Sequence, residues 1–189
     1  MDLIMVRHAK TVDNILKIYS RDVTPLDPIL KLKLIETKRK LKEFNFKNIY
    51  VSELLRCRET LEQIIDKDKH YTVDSRINEF DYGDFKGHNY LEVNKKYPYI
   101  YGKLEKNTFS TKIPSGESYN DLFLRVGSFL QELKSKNEDV LIVSHDGVIR
   151  SILCNICGKD NFFKFSIENA KITVVSFMGN YSFIKKINY

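Results

Sequence analysis

The sequence predicts an α/β fold: a three-layer α/β/α sandwich around a mainly parallel central sheet, with a small cap inserted at about 76–115. Three observations predict it. Short apolar runs alternate with amphipathic helical patterns through most of the chain, as a layered α/β domain requires. Two of those runs, Leu3-Ile4-Met5-Val6 and Val140-Leu141-Ile142-Val143, are continuously apolar, which is how buried parallel strands read. Each leads directly to a histidine, through Arg7-His8 and Ser144-His145. Open α/β sheets bind ligands where the carboxyl ends of strands meet loops. Two histidines far apart in sequence can therefore face one site.

In order along the chain, a first strand covers about 2–7. Residues 28–45 read as a helix with Leu30, Leu34, Leu41 and Phe44 on one stripe. Asn48 to Ser52 is a short strand, and Ser52 can cap a helix that runs through Ile65. Tyr71 to Val73 is another short strand. From Arg76 to Pro114 the pattern is irregular and rich in Tyr, Phe, Asn and Gly, with a short helix near 89–96. A long loop inside a domain is usually functional. Glu117 to Lys136 is the clearest amphipathic helix, with Tyr119, Leu122, Phe123, Val126, Phe129, Leu130 and Leu133 at helical spacing. Strand Val140–Ser144 and a helix over 147–157 follow. Ile172–Met178 and Ser182–Ile187 close the chain as strands joined by the turn signal Gly179-Asn180.

The 189 residues are read as one domain over 1–189, long enough to bury a real core. With 42% hydrophobic and 30% charged residues, the composition excludes a disordered chain. No apolar run reaches the roughly 18 residues of a membrane span. No basic segment precedes the first apolar run, so the expectation is a cytoplasmic protein without a signal peptide.

The net charge of +6 permits an anionic partner. The tightest basic cluster, Lys38-Arg39-Lys40 with Lys42, shares a helix with Leu34, Leu41 and Phe44 and reads as a solvated face. The expected partner is therefore a small anion rather than nucleic acid or a membrane. The oligomeric state is left open. Three cysteines make no disulfide framework. Cys154 and Cys157 are too few for a zinc site, which needs about four ligands, and read as reduced, packed thiols.

The residues with chemistry lie beside the strand ends. Arg7 offers a planar fork of donors to an anion, and His8 offers a nitrogen nucleophile. Arg56 follows Ser52 in the first turn of a predicted helix, where free N–H groups already attract phosphate. Glu79 opens the long loop and suits a general acid or base if its pKa is raised. Pro114-Ser115-Gly116-Glu117-Ser118 opens the long helix.

In this order these segments resemble the histidine phosphatase superfamily, also called phosphoglycerate mutase-like. Its leading signature is Arg-His-Gly, often within R-H-G-E-T-x-W-N. Here it stands as Arg7-His8-Ala9-Lys10-Thr11-Val12-Asp13-Asn14. Further matches are Ser52 to Thr60, Glu79 through Gly87, Pro114 to Ser118, and Val143 to Arg150.

The resemblance implies a histidine acid phosphatase-type phosphomonoesterase that needs neither metal nor cofactor. It implies that His8 is the nucleophile and becomes phosphohistidine. Arg7, Arg56 and His145 would hold the equatorial oxygens. Glu79 would protonate the leaving alkoxide and then take a proton from water. Asn14, Lys10 and Thr11 are the expected substrate-binding residues, Asn14 at the phosphoryl group.

Two positions depart from the signature, Ala9 for Gly and Lys10 for Glu. Ala9 is strained only if its φ is positive. Lys10 adds a cation close to the pocket and suits a second anionic group on the substrate. His70 and His88 match no catalytic position and read as surface or loop residues.

A phosphoglycerate-type mutase and a non-catalytic phospho-ligand binder share the same residues as alternatives. The chain stops at Tyr189, soon after its last predicted strand, which favours the phosphatase over a mutase with a long C-terminal cover. Retention of the whole catalytic set disfavours the binder. The substrate stays open among sugar phosphates, phosphoserine, phosphoglycerate and α-ribazole phosphate.

Overall fold

The computed structural model describes residues 1–29 and 33–189. The elements run β1 (Asp2–Arg7), α1 (Val12–Leu16), α2 (Lys33–Leu41), β2 (Asn48–Val51), α3 (Leu55–Ile64), β3 (Thr72–Val73), α4 (Tyr90–Lys96), α5 (Pro98–Lys106), α6 (Tyr119–Lys136), β4 (Val140–Ser144), α7 (Asp146–Cys157), β5 (Ile172–Met178) and β6 (Tyr181–Lys186). Short 3-10 turns occupy Ser75–Ile77, Gly83–Phe85 and Lys159–Lys164.

The strands form one six-stranded sheet in the order β3-β2-β4-β1-β5-β6. The pairs β3–β2, β2–β4 and β4–β1 are parallel. β5 and β6 add to the edge as an antiparallel pair. The expected mainly parallel sheet between helical layers is present.

The two central strands are apolar without interruption over 3–6 and 140–143 because both faces are covered. In β1, Leu3 and Met5 pack under α6 and α7, while Ile4 and Val6 pack under α2 and α3. β4 divides the same way, with Ile142 on the first face and Leu141 and Val143 on the second. Each such side chain contributes about 1.5–3 kcal/mol by leaving water. Apolar spacing on α6 puts Leu122, Val126, Phe129 and Leu133 in the core. Ser118 and Asp121 close a reciprocal capping box at its start.

Several boundaries differ from the sequence expectation. The predicted helix over 28–45 is regular only over Lys33–Leu41. Beyond it, Lys42, Glu43 and Phe44 donate to carbonyls three residues back, a tightened last turn. Leu34 and Leu41 are buried as expected; Leu30 lies outside the described residues. Lys38 and Lys40 pair with Asp66 and Glu36 on the solvated face.

The irregular 76–114 stretch carries a second helix, α5. Pro98 reads as a breaker, yet it sits in the first turn, where its missing N–H costs nothing. Gly83 and Gly116 then let the two ends of this segment meet. A Cβ on Gly83 would lie 2.1 Å from the Pro114 carbonyl oxygen, and one on Gly116 would lie 2.3 Å from that of Asp81. Among the described residues no helix is long and apolar enough to cross a membrane.

Candidate active site

Register brings the two histidines together. Arg7 pairs with Ser144 across the parallel β1–β4 ladder. His8 N–H then donates to the Ser144 carbonyl at 2.9 Å. His8 and His145 therefore leave adjacent strands at the same level, with ring centroids 5.1 Å apart. Both are buried.

Hydrogen bonds set opposite proton positions on the two rings. His8 Nδ1 lies 2.7 Å from the Ala9 carbonyl oxygen. A carbonyl only accepts, so Nδ1 carries the proton and Nε2 keeps its lone pair. For His145 the chain of bonds is longer. Asn78 Oδ1 accepts from Glu53 N–H at 2.9 Å while its Nδ2 donates to Glu53 Oε2 at 2.8 Å, which fixes the amide. Ser52 Oγ donates to that Oδ1 at 2.8 Å. Ser52 Oγ is thus left to accept from His145 Nε2 at 2.8 Å, which puts the lone pair of the neutral ring on Nδ1.

Burial lowers the pKa of His8 well below its usual range, and the Arg56 and Arg7 charges push the same way. His145 is held down by burial, then by Arg56, His8 and Arg7. Both imidazoles are neutral at pH 7.

Arg56, on the first turn of α3, is 1% exposed. Its Nη1 donates to the Arg21 carbonyl at 2.9 Å. That carbonyl is placed by buried Asp13, which accepts from Arg21 N–H at 2.9 Å, from Arg21 Nη2 at 2.7 Å and from Thr24 Oγ1. Arg7 donates through Nη1 to the Ile167 carbonyl and stands 3.8 Å from Asp146. The Nε of each arginine is buried with no hydrogen-bond partner among the described residues. The two guanidiniums therefore keep charge that protein groups leave partly unanswered, a condition that favours an anion beside them.

Glu79 approaches from the opposite wall. Its Oε1 accepts from Phe80 N–H at 3.0 Å and from Gly147 N–H, in the first turn of α7, at 3.1 Å. Only a glycine permits this, since a Cβ at 147 would lie 2.6 Å from Oε1. Burial raises the pKa of Glu79, and the nearby Asp146 charge adds to the rise against Arg56 and Arg7.

Arg125 holds the Glu79 segment in place. It donates to the carbonyls of Arg76, Asn78 and Glu79 at 2.8, 2.7 and 3.0 Å. It also forks onto Glu117 at 3.0 and 2.6 Å.

Arg7, His8, Arg56, Glu79 and His145 thus converge. The expected substrate-binding residues are placed differently. Thr11 is fully buried and caps α1, accepting from Asn14 N–H at 3.2 Å. Asn14 Oδ1 in turn accepts from Thr11 N–H at 3.2 Å. Thr11 is therefore a cap that positions Asn14. Lys10 is exposed and lines a neighbouring hollow with Arg7.

Ala9 is absent from the positive-φ residues, so its Cβ is unstrained. Ser52 does not cap α3, whose N-cap is Leu54; it serves His145 instead. The cysteines are all free, but they are not all packed: Cys57 and Cys154 are buried and Cys157 is exposed. Burial pushes the Cys154 thiol up to about 11. Cys57 Sγ lies 3.3 Å from His145 Nε2, and Ser52, Cys57, Asp13, Arg21 and Arg125 are site-building residues that the sequence reading lacks. Asp13 and Ser52 stood inside the quoted segments, while Arg125 left no signal beyond its place on an amphipathic helix.

A hollow of about 520 Å3 at Asn120, Phe123, Leu124, Cys154, Asn155 and Lys159 contains none of these residues. Arg56 and Glu79 line a more polar one of about 240 Å3. Of the five converging residues, Arg56 and Glu79 face this second hollow and Arg7 faces the one lined by Lys10.

Known proteins resemble the chain along almost its whole length. Phosphoserine phosphatase 1 of Hydrogenobacter thermophilus is 29% identical over 192 residues, covering 98% of this chain and 91% of its own. The α-ribazole phosphatase of Shigella flexneri superposes with a TM-score of 0.90 at 22% identity, over 100% and 96% of the two chains. A phosphoserine phosphatase variant of Entamoeba histolytica, in complex with phosphoserine, gives 0.84 at 25% identity over 99% and 96%. A family description matches residues 3–189, and the chain belongs to the histidine phosphatase superfamily, branch 1.

Proposed function

We propose that this chain is a phosphatase that hydrolyses a small phosphorylated metabolite through a phosphohistidine on His8. The observation that carries the reading is the lone pair on His8 Nε2, held in a neutral ring between two arginines. Phosphatase relatives along almost the whole chain support it.

In the first step His8 Nε2 attacks phosphorus as the bond to the ester oxygen breaks. Arg7 and Arg56 take up charge on the phosphoryl oxygens. Glu79, whose raised pKa favours the protonated form, gives its proton to the departing alkoxide. Water then gives a proton to the Glu79 carboxylate and attacks phosphorus. The N–P bond breaks, which releases inorganic phosphate and restores neutral His8. Splitting the transfer this way is nucleophilic catalysis. His145, with its lone pair on Nδ1, donates to a phosphoryl oxygen only after gaining a second proton. An incoming phosphate dianion favours that protonation.

The test uses p-nitrophenyl phosphate in EDTA. Wild type should release phosphate and trap an acid-labile phosphoenzyme on rapid quench. His8→Ala should lose about 10³-fold or more in turnover and show no phosphoenzyme. A phosphoenzyme on the variant, or turnover within tenfold of wild type, would overturn the reading. Transfer of the label to an added phosphoglycerate in preference to water would mark a mutase.

A further inference from the structure

Beyond Arg7 lies a second hollow of about 320 Å3, lined by Arg7, Lys10, Lys33 and the 166–170 segment. Its volume is within the roughly 300–1,000 Å3 of small-molecule sites. Its wall is tied to the nucleophile. Asn169 Nδ2 donates to the His8 carbonyl at 2.9 Å, and Ala170 N–H donates to the Arg7 carbonyl at 3.0 Å. Ala170 holds this position with a φ of 59°, a left-handed backbone that costs an alanine energy. The hollow and the phosphoryl site therefore keep a fixed separation, with Arg7 belonging to both.

The charges in the hollow are unbalanced. Lys10 and Lys33 have no ion-pair partner among the described residues. Elsewhere Lys38, Lys40, Lys47 and Lys86 do pair with carboxylates. Arg7 has Asp146 at 3.8 Å, and the lining itself carries three cations and one carboxylate, the exposed Glu168. Lys10 also replaces the glutamate of the signature at this position, a full reversal of charge.

We infer that Lys10 and Lys33 form a subsite for a second anionic group on the substrate. The substrate then belongs to the phosphomonoesters that also carry a carboxylate or a second phosphate. The inference rests on the phosphatase reading of His8, because it takes the first phosphate to lie beside Arg7.

Two matched pairs of compounds test it and separate the two anions. One pair is 3-phosphoglycerate and glycerol 3-phosphate, which differ by a carboxylate. The other is the bisphosphate and the monophosphate of propane-1,3-diol. Wild type should favour the anion-bearing member of at least one pair by about tenfold or more in kcat/KM, and salt should shrink the preference. Lys10→Ala/Lys33→Ala should reduce that preference about tenfold, whereas Lys10→Arg/Lys33→Arg should keep it within about threefold. Both lysines are exposed, so folding survives the changes, and circular dichroism confirms it.

No preference in wild type, or one that persists in the alanine double variant, overturns the subsite. If neither pair is turned over, calorimetric affinities for the same compounds decide it by the same ratios. Absence of binding overturns it. Loss of the phosphatase reading is seen separately, as failure of wild type on p-nitrophenyl phosphate.

Discussion

The two walls of the site are built differently. The histidine wall is fixed by the backbone: His8 and His145 leave neighbouring strands in register, and the β1–β4 ladder sets their spacing. The Glu79 wall is fixed by side chains. Among the described residues Glu79 lies in no strand, and Arg125 with Glu117 gathers its neighbouring carbonyls and the Asp81 N–H. Ladder bonds resist single substitutions because many residues share them. A side-chain clamp concentrates the same duty in one guanidinium. The nucleophile should therefore tolerate distant change, and the acid should not.

The largest expected break is at the acid itself. Glu79→Gln should slow alkyl phosphate hydrolysis by about 10²–10⁴-fold. The same variant should lose much less on p-nitrophenyl phosphate, whose leaving group departs without a proton. Equal losses on the two esters would assign Glu79 to positioning only.

Next comes the clamp. Arg125→Ala should cost about 10²-fold on alkyl phosphates, since a displacement near 1 Å is enough for that. The loss should again be smaller on p-nitrophenyl phosphate, with phosphoenzyme still formed. Arg125→Lys should not restore the rate, because an ammonium lacks the planar fork. A uniform fall on both esters would show that the clamp serves general folding instead.

The smallest expected effect is on stability against pH. The pKa values of His8 and His145 are lowered in the fold. Their stabilising contribution is whole above the ordinary 6.5 and is lost as pH falls through the depressed values. The pKa of Glu79 is raised, so its contribution is whole below the ordinary 4.5 and is lost as pH rises through the raised value. Thermal melts should show Tm falling between pH 7 and 5, by about 2–4 °C per kcal/mol lost. His8→Ala should flatten that slope. In activity, the raised Glu79 sets the alkaline limb, as its proton is needed for the leaving group. An identical slope in the variant would remove His8 from this balance.

The same contrast explains what the sequence shows and hides. Continuous apolar runs ending in His8 and His145 are readable because strand position dictates where the next side chain points. Arg7 travels with His8 for the same reason. Arg56 and Glu79 are readable only by their resemblance to a family, since nothing local tells a buried arginine from a surface one. Arg125 is hidden altogether: its partners are backbone carbonyls, which every sequence has. Pro98 hides α5 because one residue type suits both a break and a helix start. The capping role of Thr11 is hidden because a buried cap and a ligand contact look alike in a motif.

Gly83 and Gly116 let the chain cross itself where the insert leaves and returns, with Asp84 N–H bonded to Pro114 at 3.0 Å and Glu117 N–H bonded to Asp81 at 3.1 Å. The segment between them is stitched shut at its base. Its inner side chains still join the main core, Val93 among them. Under the proposed phosphatase reading, an insert transplanted from a related protein between the same stitched ends should change the leaving-group preference while Glu79 keeps its position.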